Sequence, residues 1–321
     1  MPRLLQRLRV QVPVVQAGMG GGLSGAKLAA AVSAAGGLGT IGILGPSQLR
    51  AEIAAARRLG NGPLAVNLLL PFARAAHFDA ASQADAVVTF QGRPRRRTAN
   101  VWLHQCGSVH EALDARAAGA DGVILQGVEA GGHVRGTDTA LELLARAREA
   151  LPDDYPLLSA GGIADAADVA ARLAAGAEAA VCGTRFLMSE ESGAHPAYKQ
   201  RLVAAHDTLL TELFGVGWPA PHRVLANEAT ARWLGPDLRM PAWLHAAHVL
   251  SAPLLSRVPM AVQQRLAATQ RPSRPLFGPA AAIAGGPDNL LDAGPLYAGE
   301  CVSRIDDIRP AGQLVRDLCG A

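Results

Sequence analysis

Gly122-Val123-Ile124-Leu125-Gln126-Gly127-Val128-Glu129-Ala130-Gly131-Gly132-His133 is the stretch from which the rest of the chain is read. Its first four residues form an apolar run of the kind that marks a parallel strand buried on both faces. The remaining eight hang from the strand's C-terminal end, the edge at which (β/α) barrels carry their chemistry. Gly131 and Gly132 let the backbone approach a flat ligand, because no Cβ stands in the way. His133, directly behind them, can move a proton near neutral pH. A planar cofactor beside a base fits this arrangement.

Working outward, similar short runs alternate with alanine-rich helical stretches. The candidate strands are Pro13–Gln16, Gly39–Ile43, Leu64–Leu68, Ala86–Phe90, Val101–His104, Gly122–Leu125, Leu157–Ala160 and Ala179–Cys182. Eight is the number that closes a parallel barrel. Alternation of this kind implies right-handed βαβ crossovers, although periodicity cannot separate a closed barrel from an open doubly wound sheet. In Ala164–Ala175 the apolar Val169 and Leu173 stand one helical turn apart, with Asp165 as N-cap and Gly176 as stop. Only Gln91–Asn100 separates the fourth and fifth strands, and that stretch is rich in arginine and proline. A crossover with its helix needs at least ~10–12 residues, so the fourth helix is short, irregular or missing.

The expected fold is α/β: a TIM (β/α)8 barrel over residues 1–205 with an inserted, mainly helical substrate or lid domain over 206–276. A segment, 277–321, then returns to the barrel. The insert carries three of the chain's four tryptophans, Trp218, Trp233 and Trp243, between repeated prolines. Barrel ligands sit at the mouth, and a lid there excludes water.

Bulk properties exclude several classes. The 321 residues suit a barrel of about 250 with an insertion. Half are hydrophobic and 18% are charged, and the net charge of +3 is too mild to imply nucleic acid. The one dense basic run, Arg93-Pro94-Arg95-Arg96-Arg97, has no interleaved aromatics and reads as a solvated loop. Cys106, Cys182, Cys301 and Cys319 form no CxxC pair, so no zinc or redox motif is expected and no metal is assigned. The start lacks the ~7–15-residue apolar core of a signal peptide. No run reaches the ~18 apolar residues of a membrane span. The expectation is a cytoplasmic protein free of membrane and nucleic acid, with homodimer formation left open.

Three glycine loops complete the pattern. Gly18-Met19-Gly20-Gly21-Gly22-Leu23-Ser24-Gly25 holds a literal GxGxxG at Gly20, Gly22 and Gly25. A dinucleotide fold would need an acid about 20 residues further on; the first in the chain is Glu52. Gly18, Met19 and Gly20 are instead expected to floor a flat ring. Ser159-Ala160-Gly161-Gly162-Ile163 and Val181-Cys182-Gly183-Thr184 end the seventh and eighth strands. In barrels those two loops commonly build a phosphate cradle from backbone N–H groups. Asn67 and Gln126 end the third and sixth strands and offer amides to the polar edge of a heteroaromatic ring.

Among nine histidines, His133 is the candidate base. His104 ends the fifth strand and is a candidate for the substrate pocket, with a hydrogen-bonded core histidine as the alternative. His77, His206, His222, His245 and His248 fall in helices or proline loops, and His110 in a polar helix start. Glu129 is expected to turn away and brace its loop.

These residues resemble the nitronate monooxygenase family, formerly called 2-nitropropane dioxygenases, over nearly the full length. The resemblance rests on Pro13-Val14-Val15-Gln16-Ala17-Gly18-Met19, Ala35-Gly36-Gly37-Leu38-Gly39, Ala65-Val66-Asn67, Gln126 through His133, Ala160-Gly161-Gly162-Ile163 and Gly183-Thr184-Arg185-Phe186. It implies an FMN-containing barrel that oxidises nitronates or nitroalkanes with O2 to a carbonyl compound and nitrite. It also implies FMN contacts at Asn67, Gln126, Gly131, Gly162, Gly183 and Thr184, and a base at His133. Cys182, in the place of the family's usual methionine, and Gly132 and Gly161 join the expected cofactor shell; Trp218 and Tyr297 join the expected substrate wall. Val181-Cys182 departs from the family's usual pair before the Gly-Thr. A similar Ala-Gly-Gly-His loop occurs in flavin-dependent enoyl-acyl-carrier-protein reductases and NADH:quinone reductases. NADH-dependent reduction of a quinone or enoyl thioester is therefore the alternative activity, and a flavin-free phosphate-binding isomerase or lyase is the alternative from another class. A catalytically idle flavin-binding or redox-sensing protein is the third.

Overall fold

The computed structural model describes residues 4–255, 258 and 260–320. Eight parallel strands are present: β1 (Val14–Gln16), β2 (Gly39–Ile41), β3 (Leu64–Leu69), β4 (Ala86–Phe90), β5 (Val101–Cys106), β6 (Gly122–Gln126), β7 (Leu157–Ala160) and β8 (Ala179–Cys182). Each pairs with its chain neighbour, and β1 pairs with β8 in the register Val14↔Ala180 to Gln16↔Cys182. The ring closes between β1 and β2, where Gln16 N–H donates to Leu38 O and Leu38 N–H to Val14 O, each at 3.0 Å. Closure settles the choice between barrel and open sheet that periodicity left standing.

Alternation along each strand divides the core. Val15, Leu38, Ala65, Val88, Leu103, Ile124, Leu158 and Val181 fill the barrel interior, and Leu4, Leu8 and Val10 from the N-terminal segment pack with them at the strands' N-terminal end. Intervening residues face the helices, as where Leu143, Leu144 and Ala147 of helix Ala140–Ala150 cover Val123 and Leu125. Helix Ala166–Ala174 starts on Asp165, whose side chain accepts the Asp168 N–H, and stops before Gly176 at φ +95°. A closing helix, Ala311–Leu318, buries Leu314, Val315 and Leu318 beside Leu28, Val32 and Val169.

Residues 91–100 contain no helix, yet β4 and β5 still pair directly, Ala86 with Val101. The four arginines of this run are exposed, as expected of a solvated loop, and two of them also lie against aromatic rings of the barrel's flank. The Arg96 guanidinium lies 5.6 Å from the Trp102 ring and pairs with Asp121 at 2.6 Å, and that of Arg97 lies 5.6 Å from the Phe78 ring.

Within 206–276 stand helices Glu228–Trp233, Ala242–Leu255 and Met260–Ala267 and two short strands, Leu209–Thr211 and His222–Val224. The second strand pairs antiparallel with Gly132–His133, His222 opposite His133. The insert is thus hydrogen-bonded to the β6 loop. No helix among the described residues is long and apolar enough to cross a membrane.

Candidate active site

The C-terminal ends of the strands and residues of 206–299 enclose one cavity of about 1410 Å³. It gathers Gly18, Met19, Gly20, Asn67, Gln126, Gly131, Gly132, His133, Gly161, Gly162, Cys182, Gly183, Thr184, Trp218 and Tyr297 on its walls. Of the site residues expected from sequence, His104 is the one it does not bring there. β5 runs two residues beyond the expected end, to Cys106. Because strand side chains alternate, His104 falls with Trp102 and Cys106 on the helix-facing side, while Gln105 reaches the cavity. His104 is 2% exposed, its Nδ1 lies 2.8 Å from Thr89 Oγ1, and burial pulls its pKa down to about 4. It is a core histidine, and the substrate-pocket expectation is corrected.

The β6 loop is pinned from three sides. Gln126 Nε2 donates to His133 O at 2.9 Å, Arg223 Nη2 donates to Val128 O at 2.8 Å, and Glu129 Oε2 accepts the Ala140 N–H at 3.0 Å. Glu129 therefore faces a helix N-terminus, where a carboxylate is favoured. Two glycines have a different reason from the one inferred from sequence. A Cβ on Gly131 would lie 2.6 Å from the Ala298 and Gly299 backbone, and one on Gly18 would lie 2.3 Å from Asn67 Cβ. These residues are small to admit the protein itself. Gly132, at φ +76°, has nothing within 4 Å of its Cβ position and faces open space.

His133 stacks on the Trp218 indole, centroids 3.5 Å apart and planes 15° from parallel, with His222 at 5.3 Å and Tyr297 at 5.7 Å. Its Nε2 is buried without a protein partner. Burial, then the neighbouring His222, holds its pKa well below the usual imidazole value, so the ring is a neutral proton acceptor. His222 was passed over in the sequence because Pro219 and Pro221 disguise its strand. Its Nδ1 lies 2.8 Å from Ala220 O and its Nε2 accepts the Phe214 N–H at 3.2 Å, which assigns the proton to Nδ1. Burial brings its pKa to about 4. Tyr297 spends its hydroxyl on Pro279 O at 2.9 Å and offers the cavity its ring.

Opposite, the β7 and β8 loops present backbone. The N–H groups of Gly162, Ile163 and Gly183 make no hydrogen bond to any described residue. Thr184 Oγ1 accepts the Gly299 N–H at 2.8 Å, tying the C-terminal segment to this corner. Cys182 is buried, which raises its thiol pKa and keeps it neutral. Thr40 Oγ1 and Gln126 Oε1, on residues that line the cavity, are further buried atoms without protein partners. Converging unpaired donors and acceptors around an apolar space fit a planar heteroaromatic ring carrying an anionic tail.

A closed eight-stranded parallel barrel with an apolar cavity at its mouth defines the (β/α)8 class, and sequence comparison names the family. The chain matches nitronate monooxygenase over residues 2–96 and 92–320 and belongs to that family of oxidoreductases. Among relatives, nitronate monooxygenase npaC of Metarhizium robertsii is 34% identical over 253 residues, 64% of this chain and 71% of its own. The Rhodococcus jostii (3aS,4S,5R,7aS)-5-hydroxy-7a-methyl-1-oxo-octahydro-1H-indene-4-carboxyl-CoA dehydrogenase is 32% identical over 244 residues, 70% of this chain and 65% of its own. Among solved structures, FabK from Thermotoga maritima has a TM-score of 0.77 at 28% identity, covering 98% of this chain and 94% of that one. Nitroalkane oxidase from Streptomyces ansochromogenes has 0.73 at 29% identity, covering 98% and 96%.

Proposed function

We propose that this chain is an FMN-dependent oxidase of nitronates and nitroalkanes that uses O2 and releases a carbonyl compound and nitrite, with His133 as base. The observation that carries this is the neutral His133 imidazole, its Nε2 without a protein partner, on the wall of a cavity that also offers unpaired amides. Those amides, of Gly162, Ile163 and Gly183, would take the FMN phosphate. Asn67 and Gln126 would meet the polar edge of the ring, and Gly18, Met19, Gly20, Gly131, Gly132, Gly161, Cys182 and Thr184 would complete its bed. FMN, when bound, supplies the electron transfer that couples nitronate oxidation to oxygen.

The protein's own part is proton transfer, orientation and exclusion of water. His133 Nε2 takes the acidic α-proton of a nitroalkane; a substrate arriving as nitronate needs only to be positioned. Trp218 holds the imidazole plane, and Gln126 holds the backbone behind it. Residues 206–276 act as the lid, with the Trp218 and Tyr297 rings excluding water from the substrate side.

A second activity, NADH-dependent reduction of a quinone or enoyl thioester, is favoured by one feature. The described wall of the cavity carries Arg74 and Arg274 and no Asp or Glu, which suits an anionic nucleotide or thioester tail. The CoA-dehydrogenase relative takes a substrate larger than a nitroalkane. The deciding experiment supplies purified protein with propionate-3-nitronate in air and, separately, with NADH without oxygen. Nitrite release with oxygen uptake supports the oxidase; bleaching of the flavin by NADH without nitrite formation supports the reductase.

A further inference from the structure

Both carbonyls of the Gly161–Gly162 turn are taken by guanidinium groups. Arg172, in helix Ala166–Ala174, donates from Nη2 to Gly161 O at 3.0 Å. Arg304, ending the 3-10 helix Glu300–Arg304, donates from Nη2 to Gly162 O at 2.8 Å. In a trans peptide the C=O and the following N–H point in opposite directions. Drawing these oxygens away from the mouth therefore turns the Gly162 and Ile163 N–H groups the other way, and both residues line the cavity. The turn has φ of +116° at Gly161 and +70° at Gly162, a shape that glycine permits and does not by itself enforce.

We propose that Arg172 and Arg304 are positioning residues for the phosphate cradle, holding the Gly161–Gly162 turn in its anion-binding form and so setting the preference for FMN over riboflavin. This rests on the FMN assignment above. Neither arginine lines the cavity, so each acts through the turn.

The surroundings are built for that task. Arg304 is fixed by Asp168 at 2.8 Å and Asp165 at 3.3 Å. Asp168 Oδ2 also accepts the Ala164 N–H at 2.7 Å, and Asp165 Oδ1 caps the helix through the Asp168 N–H at 3.0 Å. Turn, helix start and returning C-terminal segment thus form one network. Arg172 is 6% exposed, and its Nε and Nη1 have no protein acceptor. A cation buried behind an anion site with unused donors adds attraction to the geometry it imposes.

The test strips the holoprotein of flavin and titrates the apoprotein with FMN and riboflavin by flavin fluorescence, in wild type, Arg304→Met, Arg304→Lys and Arg172→Met. Losing one charge-assisted hydrogen bond to the turn should weaken FMN binding by about ten- to a hundredfold. Riboflavin affinity should hold, so the preference for FMN collapses. Arg304→Lys, with charge but no planar fork, should recover part of it. Equal loss for both flavins would make Arg304 a mere tether of the C-terminal segment, and unchanged FMN affinity would equally overturn the proposal. Arg304 is half-exposed, so its variant decides the matter if Arg172→Met fails to fold. A wild type that binds neither flavin sinks the cofactor assignment and this inference together; a wild type that prefers FMN, with Arg304→Met retaining that preference, sinks this inference alone.

Discussion

Replacing His133 with Asn removes the proposed base while keeping a polar side chain of similar reach. The backbone bonds that fix this position remain, since Gln126 donates to the residue 133 carbonyl and residue 133 pairs with 222 through the main chain. FMN should therefore stay bound. General-base removal typically costs about 10²–10⁴-fold. Burial has already weakened this imidazole as a base, which places the expected loss nearer the lower end, about 10²–10³-fold in kcat for a nitroalkane. The same substrate supplied as its preformed nitronate should lose much less, because no C–H bond remains to be broken. Nitrite release and oxygen uptake, measured for both forms beside flavin content, separate the cases. Unchanged nitroalkane turnover would remove His133 from the mechanism; equal losses for both forms would make it a binding residue. Burial disfavours the imidazolium, so the wild-type acid limb for nitroalkane should lie well below the usual imidazole pKa.

Trp218→Ala uncovers one face of the imidazole, re-solvates its cation and should shift that acid limb to higher pH, a change read from the pH dependence of kcat/KM; an unmoved limb would mean that the stack does not set the basicity. His104 and His222, each near 4 when folded, take protons near 6.5 when unfolded. The unfolded chain therefore binds more protons between those values. Stability should be fully present above about 6.5 and fall as pH drops towards about 4, as denaturant midpoints across that range would show. His104→Gln should flatten part of this slope without changing nitronate turnover. Gly131→Ala forces a Cβ to 2.6 Å from backbone and should cost about 1–3 kcal/mol or more. Gly132→Ala meets open space and should cost about 1–2 kcal/mol for its left-handed backbone, a ranking that thermal melts would test.

The eight strands were legible because a strand buried on both faces must be a short apolar run between glycine-marked turns. The missing fourth helix was legible from loop length. The facing of β5 was not: Leu103 points into the barrel, so His104 must face the helices, and the strand runs on until Gln105 reaches the mouth. The pairing of Gly132–His133 with His222–Val224 was hidden because a two-residue strand has no periodicity and prolines precede its partner. His222, the closest titratable neighbour of the base, was missed with it. Gly18 and Gly131 read as room for a flat ligand, although the atoms they make room for are Asn67 and the 298–299 backbone, contacts between segments remote in sequence. Arg172 and Arg304 gave no signal, since an arginine in a helix or near a chain end reads as surface until the carbonyl it holds is known.

If the proposed function holds, a flavin phosphate lies on the Gly162, Ile163 and Gly183 amides with the ring reaching the His133 imidazole. A crystal structure of the protein purified with its bound chromophore tests this most directly. One FMN per chain is expected, its phosphate oxygens within hydrogen-bonding distance of those three N–H groups and His133 Nε2 turned towards the substrate space beside the ring. A colourless protein that refuses added FMN, or a flavin seated with its phosphate elsewhere and His133 turned into the packed interior, would contradict it.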